Sequence, residues 1–229
     1  MALYALGDVH LSFETNKPMD IFGGAWSGYV EKLREGLSIL QPEDTLVLPG
    51  DISWAMDLEH ARADFRFLAE LPGRKIILKG NHDYWWSTVR KFDRFCAENG
   101  FENLFALNNN CYFYGEMAIC GTRGWFFEED RQGTHDEKVF RRELQRLETS
   151  LQAAGDVPKR CFLHYPPCYH GYTCPEIISL MQRYGVTHCY YGHLHGASHR
   201  LAIQGLVDGI QYQMVSADYV NFKPVKILP

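Results

Sequence analysis

Three features are missing from this sequence of 229 residues, and each absence argues against a class of protein. No apolar run approaches the ~18 consecutive residues that a membrane-spanning helix requires, so the sequence predicts no membrane segment. The amino-terminal residues lack the charged and long apolar regions of a signal peptide, which predicts a cytoplasmic protein. Basic residues are not in surplus, and the formal net charge of −5 disfavours a broad nucleic-acid-binding surface.

Paired cysteine motifs, internal repeats and low-complexity tracts are also absent. The seven cysteines are an odd number without C-x-x-C spacing, and Cys120, Cys161 and Cys189 lie in apolar runs, so we expect reduced, buried thiols. Hydrophobic residues make up 46% and charged residues 22%, the balance of an ordinary globular protein. With no linker in the sequence, a single domain over residues 1–229 is expected.

The sequence does contain a repeated alternation of short apolar runs and helical stretches. The predicted strands are Ala2–Leu6, Thr45–Leu48, Lys75–Leu78, Met117–Cys120, Arg160–Leu163 and Val186–Tyr191. The predicted helices are Tyr29–Leu40, Leu58–Leu71, Asp136–Ala154 and Pro175–Tyr184. Near the carboxyl terminus, Leu201–Gln204 and Ile210–Ser216 flank a Val-Asp-Gly turn and predict a β-hairpin. This pattern favours an α/β fold with a largely parallel inner sheet and an antiparallel finish.

Polar side chains follow most of the predicted strands at the point where each strand ends. These residues are Asp8, His10, Asp51, Asn81, His82, Asp83, His164, His193 and His195. Because the carboxyl ends of parallel strands meet at one edge of a sheet, we expect the side chains to lie close together. In an extended segment, the D-x-H and H-x-H spacings place both side chains on one face. Carboxylates, imidazoles and amide oxygens are ligands of divalent cations, so the set predicts a metal site.

Taken in order, these motifs resemble the signature of the calcineurin-like metallophosphoesterases. The matching blocks are Gly-Asp-Val-His, Gly-Asp-Ile, Gly-Asn-His-Asp, a single histidine at a strand end, and Gly-His-Leu-His. The resemblance extends from Asp8 to His195, nearly the whole chain. It implies a four-layer α/β/β/α sandwich of two mixed sheets flanked by helices, with a metal site at the carboxyl ends of the strands.

The resemblance also implies that seven side chains hold two divalent cations. The ligands would be Asp8, His10 and His195 for the first ion, Asn81, His164 and His193 for the second, and Asp51 for both. His82 would contact the phosphate or the leaving group, and Asp83 would steady His82.

Such a pair of cations fixes the expected reaction. A water shared by two cations has a lowered pKa, so a metal-bridging hydroxide can attack the phosphorus of a phosphomonoester or phosphodiester in line. No protein nucleophile is needed. Mixed nitrogen and oxygen ligation without cysteine suits Mn²⁺, Fe, Zn²⁺ or Co²⁺, and Mn²⁺ is the ion expected in a reconstituted enzyme. The expected partner is a phosphorylated small molecule, whereas the sequence indicates neither its identity nor an oligomeric state.

Three residues are candidates for the substrate pocket. Arg123 follows an apolar strand and could clamp a phosphate, or it could form an ion pair with the acidic run 128–130. Trp54 and Trp85 follow metal-binding blocks and could stack a flat leaving group, or they could pack beneath the loops. The segment 13–29 is expected to be a loop, either a lid or a passive connection.

Other readings of the sequence remain open. A catalytically silent scaffold of this fold is one, although such relatives are usually missing His82 or a ligand, and this chain has all of them. A nuclease would normally carry further domains and basic surfaces, and no feature marks the peptide groove of a protein phosphatase. His170 and His199 are candidates for contacts that support the ligands.

Overall fold

The predicted strands form part of two separate mixed sheets in a computed structural model of the chain. It describes residues 1–125 and 134–229, with the backbone alone for Thr134 and His135. The first sheet contains β1 (Leu3–Ala5), β2 (Thr45–Pro49), β3 (Arg74–Leu78), β4 (Leu104–Ala106) and β13 (Val225–Leu228). Its order is β13-β1-β2-β3-β4, with β13 antiparallel to β1 and the other four strands parallel.

The second sheet is built on the same plan from the second half of the chain. It contains β5 (Tyr112–Tyr114), β6 (Met117–Thr122), β7 (Lys159–Leu163), β10 (Val186–Tyr191), β11 (Gly205–Val207) and β12 (Ile210–Met214). Its order is β11-β12-β10-β7-β6-β5, parallel in the middle and antiparallel at both edges. A short ribbon of β8 (Cys168–Tyr169) and β9 (Tyr172–Thr173) lies apart from both sheets.

Five α-helices and three 3-10 segments connect the strands in the described part of the chain. The helices are α1 (Tyr29–Leu37), α2 (Arg62–Glu70), α3 (Val89–Asn99), α4 (Thr134–Ala153) and α5 (Pro175–Arg183). The 3-10 segments are Met19–Phe22, Gly24–Trp26 and Gly196–Leu201. No helix among residues 1–125 and 134–229 combines the length and apolarity that crossing a membrane would require.

Three apolar cores separate four layers. Along β2, Leu46 and Leu48 pack toward α1, α2 and α3, whereas Val47 points the other way, as the period of two in a strand requires. Val47 belongs to the core between the two sheets, where it joins Phe162 of β7 and Tyr190 of β10. A third core joins the opposite face of the second sheet to α4 and α5. The expected four-layer α/β/β/α sandwich is confirmed.

Two local features of the structure differ from what the sequence analysis expected. Helix α3 was not predicted, although Thr88 caps it by accepting a hydrogen bond from the Lys91 N–H (3.2 Å) and Gly100 ends it with a left-handed φ of 70°. The predicted hairpin strand Leu201–Gln204 is wrong, because a 3-10 segment continues to Leu201 and the strand begins only at Gly205. The acidic run 128–130 lies outside the described residues.

Candidate metal centre

Polar residues that follow strands of both sheets meet at one end of the sandwich. Asp8, Asp51 and Asn81 come after β1, β2 and β3, whereas His164 and His193 come after β7 and β10. The His164 Nε2 atom lies 3.6 Å from Asp51 Oδ2, which brings the two groups into contact. The strand-end pattern in the sequence therefore corresponds to one cluster in space.

The Asp51 carboxylate lies at the middle of this cluster. Its Oδ2 atom is 3.6 Å from His10 Nε2 and also 3.6 Å from His164 Nε2. Its Oδ1 atom accepts a hydrogen bond from the His82 backbone N–H (2.8 Å), which fixes the orientation of the carboxylate. One oxygen thus faces imidazoles on two sides.

The Asp8 carboxylate connects the remaining histidines. It is fully buried and accepts hydrogen bonds from the His193 backbone N–H at 3.1 and 3.0 Å. Its Oδ1 atom lies 3.6 Å from His164 Nδ1 and 3.7 Å from His195 Nε2. Both distances are too long for hydrogen bonds, and the one to His195 is close to the roughly 3–3.5 Å that separates two ligands of one ion when each is ~2.1 Å from the metal.

The two ring nitrogens of His164 face oxygen atoms of three different residues. Its Nδ1 atom is 3.2 Å from the Pro49 carbonyl oxygen, so a proton on Nδ1 is donated to that carbonyl. Its Nε2 atom then faces Asn81 Oδ1 at 2.6 Å and Asp51 Oδ2 at 3.6 Å. With the proton on Nδ1, the Nε2 atom and both oxygens are acceptors, and a cation among them would remove their mutual repulsion.

His195 is held in the same way by a residue that the sequence patterns missed. Its Nδ1 atom lies 2.8 Å from Asp218 Oδ1, and the other Asp218 oxygen accepts from the Gly196 N–H (3.1 Å) and lies 3.1 Å from His199 Nε2. The His195 Nε2 atom is buried and has no hydrogen-bond partner among the described residues. A carboxylate behind a histidine is a common feature of metal ligation, because it fixes the tautomer and orients the ring.

Burial keeps three of the histidines neutral. It lowers the pKa of His10 and of His164 well below the usual value, and neighbouring histidines lower the pKa of both further. Burial and the adjacent His164 lower the pKa of His193 to about 3. A neutral imidazole is the form that binds a metal, so these rings need not lose a proton first.

The pKa values of Asp51 and His195 are both raised. Burial, followed by the charges of Asp83 and Asp8, raises the pKa of Asp51 well above the ordinary value for an aspartate. Burial alone would lower the pKa of His195, but the hydrogen bond with Asp218 and the negative charges of Asp8 and Asp218 outweigh it and raise the pKa to about 10. Both shifts indicate that this end of the sandwich favours positive charge, which divalent cations would supply.

The backbone at the predicted ligands is unusual. Asp8, His10, Asp51 and His193 have positive φ angles of 58°, 45°, 51° and 74°. The extended backbone predicted at Asp8 and His10 is therefore wrong, since both have positive φ angles, although one ligand atom from each lies within 4.8 Å of the other and of His195. Such conformations cost non-glycine residues of order 1–3 kcal/mol each and cluster at functional sites.

Two glycines allow the chain to approach the carboxylates closely. A methyl group on Gly80 would overlap the Asp51 carboxylate and backbone, and one on Gly192 would overlap the Asp8 carboxylate. The overlap at Gly80 includes the Asp51 backbone nitrogen, which no side-chain rotation can move, and the Asp8 carboxylate that meets Gly192 is fully buried. The motifs therefore need glycine at these two positions for space.

Asp83 is surrounded by hydrogen-bond donors. Its Oδ1 atom accepts from the Ile52 and Ser53 N–H groups (2.8 and 3.2 Å) and from Trp85 Nε1 (2.8 Å). Its Oδ2 atom accepts from the N–H groups of Asp51 (2.9 Å) and Gly80 (2.7 Å). In the described part of the chain, Asp83 thus accepts from four backbone N–H groups of the loops around the candidate ligands and from the Trp85 indole, and not from the His82 ring.

His82 stands at the border between the cluster and a cavity. Its Nδ1 atom is 3.3 Å from the Tyr84 hydroxyl, and its ring centroid lies 4.4 Å from that of Trp54 and 5.8 Å from that of His10. Burial and the positive charge of Lys17 lower the pKa of His82. Tyr84 was not among the predicted site residues, although it directly follows the Gly-Asn-His-Asp block.

The cavity beside His82 has a volume of about 360 Å³. It is bounded by His10, His82 and His195, and by Lys17, Met19, Phe22, Trp26, Trp54 and Tyr84. The segment 13–29 thus contributes four wall residues. Trp85 does not reach the cavity: it is 3% exposed and packs against Phe65 (4.8 Å) and Phe92 (5.8 Å) in the core. Of the two tryptophans predicted to lie at the substrate pocket, only Trp54 lines this cavity.

Arg123 lines a second, more polar cavity of about 140 Å³. Its guanidinium lies 3.4 Å from Glu143 Oε1 and over the Tyr165 ring at 5.9 Å. The Tyr165 ring is in turn 4.6 Å from the ring of His193. Arg123 is therefore connected to the ligand cluster through an aromatic ring and does not line the cavity beside His82.

Comparison with known proteins agrees with the fold. The structure is similar to phosphopantetheinyl hydrolase from Mycobacterium tuberculosis (TM-score 0.58, 15% identity, covering 100% of this chain and 96% of that one). It is also similar to a protein of unknown function from Aquifex aeolicus (TM-score 0.54, 18% identity, covering 98% of this chain and 95% of that one). At these identities the likeness establishes the fold alone.

The comparisons of sequence give one positive result. Comparison with curated protein sequences gave no match. The sequence model of the calcineurin-like phosphoesterases matches residues 1–197, which is most of the chain. The protein therefore belongs to the calcineurin-like phosphoesterase family.

Proposed function

We propose that the protein is a metal-dependent phosphoesterase with two cation sites that share Asp51. Asp8, His10 and His195 would hold one ion, and Asn81, His164 and His193 the other. The observation that supports this division most strongly is the position of Asp51 Oδ2, 3.6 Å from a histidine of each set. A carboxylate oxygen between two ligand sets is the arrangement that a shared ligand requires.

The proposed reaction is hydrolysis of a phosphomonoester or phosphodiester. Two bound divalent cations would supply a water that ionises near neutral pH and positive charge beside the phosphoryl oxygens. The chain's own contribution is to hold the ligand atoms in place: Asp218 fixes His195, the Pro49 carbonyl fixes His164, and the His82 N–H fixes Asp51. None of these groups forms a covalent bond to phosphorus.

His82 is the group best placed to contact the reacting ester. It borders both the ligand cluster and the cavity, and the Tyr84 hydroxyl orients its ring through Nδ1. The Nε2 atom is then the one directed to a phosphoryl or leaving-group oxygen. Asp83 acts at a distance, by ordering the loops that carry Asp51 and Asn81.

The first experiment measures metal content and turnover together. The protein is reconstituted with Mn²⁺, Fe²⁺, Zn²⁺ or Co²⁺ and assayed with p-nitrophenyl phosphate and bis-p-nitrophenyl phosphate. We expect two ions per chain and hydrolysis of at least one substrate, with both lost in Asp51→Asn and retained in the control Asp156→Asn, an exposed aspartate. Two bound ions without turnover of either ester would contradict the proposal and favour a binding role for the fold.

The role of His82 is tested separately from the ligands. His82→Ala is expected to keep its metal content and to lower kcat by ~10²-fold or more. His82→Gln keeps a hydrogen-bond donor without an ionisable ring, so recovery in this variant would assign His82 to charge stabilisation and no recovery would assign it to proton transfer. Loss of metal in His82→Ala would make His82 a ligand and overturn its assigned role.

A further inference from the structure

Two aromatic rings face each other across the mouth of the cavity beside His82. The rings of Phe22 and Trp54 are nearly parallel, with an interplanar angle of 4° and centroids 6.4 Å apart. A flat ring between two others needs about 7 Å, twice the ~3.5 Å contact distance of carbon atoms. The two centroids are therefore slightly closer together than a sandwiched aromatic ring requires.

One wall of this cleft is fixed and the other is able to move. Trp54 donates its indole N–H to Met19 Sδ (3.0 Å) and stacks on His10 at 5.0 Å. Phe22 ends a short 3-10 segment, is 51% exposed, and precedes Gly23 at a φ of 125°, a value that favours glycine. An outward shift of Phe22 by about half an ångström would open the cleft to the width of an aromatic ring.

The cleft carries one positive charge. The Lys17 ammonium lies over both rings, 4.4 Å from the centroid of Trp54 and 5.5 Å from that of Phe22. In the described part of the chain it has no ion pair with a carboxylate. Lysine over aromatic faces gains cation–π energy, and its free donors can also reach an acceptor on the edge of an inserted ring.

We propose that the cleft between Phe22 and Trp54 binds a planar aromatic group of the substrate, with its acceptor-bearing edge toward Lys17. The inference rests on the proposed phosphoesterase function. Because the Trp54 ring is 4.4 Å from that of His82, the bound ring lies on the leaving-group side of the phosphate. The substrate class is a phosphoester of an alcohol that carries a heteroaromatic ring, rather than one with an aliphatic chain.

The test compares esters that differ only in planarity. Benzyl and cyclohexylmethyl phosphate have the same number of carbons and similar primary alcohols as leaving groups. Their methyl diesters replace them if only bis-p-nitrophenyl phosphate is turned over. Stacking predicts a kcat/KM for the benzyl ester roughly 2–12-fold above that for the cyclohexylmethyl ester. A pyridin-3-ylmethyl ester, which adds an acceptor, is expected to gain a further factor of about 3 through Lys17.

Variants assign these preferences to individual side chains. Phe22→Leu should bring the benzyl-to-cyclohexylmethyl ratio close to 1, and Lys17→Met should remove the preference for the pyridyl ester alone. Phe113→Leu is the matched control, because Phe113 is 50% exposed and lies on β5, outside the cavity. Its two ratios should equal those of the native protein.

The outcomes separate this inference from the function on which it rests. Turnover of p-nitrophenyl esters with no preference for planar groups, or with a preference for the cyclohexylmethyl ester, would overturn the aromatic cleft and leave the phosphoesterase standing. A planarity preference that Phe22→Leu leaves unchanged would also overturn it. Absence of turnover with every metal and ester would overturn both.

Discussion

Replacing Asp83 with asparagine tests how the ligand loops are held together. The substitution preserves shape but replaces one carboxylate oxygen with an NH₂ group. Three donors converge on Oδ1 and two on Oδ2, so the amide oxygen is expected to take the Oδ1 position. The new NH₂ group would then face the N–H groups of Asp51 and Gly80, leaving two buried donors without an acceptor.

The size of the effect follows from these two donors. Each buried N–H without a partner costs about 1–3 kcal/mol, so the free energy of unfolding should fall by about 2–6 kcal/mol. For a chain of this length that corresponds to a decrease in Tm of roughly 5–20 °C. One affected N–H belongs to Asp51 and the other to Gly80, which directly precedes Asn81, so metal affinity should fall as well.

Chemical denaturation of the metal-free protein, followed by circular dichroism, measures the stability change without the metal contribution. Asp93→Asn, on the exposed side of α3, is the control and should change the unfolding free energy by less than ~0.5 kcal/mol. If Asp83→Asn unfolds like the native protein and only its kcat is reduced, the loop-ordering role is refuted. Asp83 would then act on His82, as the family resemblance implied.

Three further predictions concern other buried groups. Asp218→Asn weakens the hydrogen bond that orients His195 and should lower metal affinity about 10–100-fold in a competitive chelator titration. An unchanged affinity would show that Asp218 does not support the metal centre. Gly192→Ala should lose metal but keep its far-ultraviolet circular dichroism, because the added methyl group overlaps only the Asp8 carboxylate. Full metal occupancy in this variant would contradict the close contact between Gly192 and Asp8. Burial raises the pKa of Asp64 from 3.8 to about 6, so its contribution to stability is present below about pH 4 and is lost as the pH rises through 6. In Asp64→Asn, the change in the free energy of unfolding between pH 4 and 7, measured by urea unfolding, should be about 3 kcal/mol smaller than in the native protein. An unaltered pH dependence would argue against the raised pKa of Asp64.

The strand-end residues could be located from sequence because two simple regularities apply. Apolar runs such as Val186–Tyr191 mark buried strands, and the ends of parallel strands share one edge of a sheet. The residues that follow those runs must then converge, whatever their local backbone. The predicted local geometry at Asp8 and His10 was wrong, since left-handed φ angles are fixed by surrounding contacts and not by neighbouring residues in the sequence.

The rest of the site depends on packing that local patterns do not encode. Trp54 and Trp85 both follow blocks of candidate metal ligands, yet one lines the cavity and the other is buried. Lys17 and Phe22 come from a segment without hydrophobic periodicity, so nothing in the sequence indicated that they face the cavity. Asp218 had a usable signal, because it too lies just beyond a strand, β12, at the same end of the second sheet.

The origin of the candidate ligands in both sheets has a mechanical consequence. Asp8 and Asp51 extend from the first sheet and His164 and His193 from the second, so ions held by all of them would cross-link the two halves of the sandwich. The cross-link would join chain segments far apart in sequence, and closing such long loops restricts the unfolded chain most. Removal of the ions with a chelator should therefore weaken the packing of the two sheets and increase cleavage by proteases in the connection between β4 and β5.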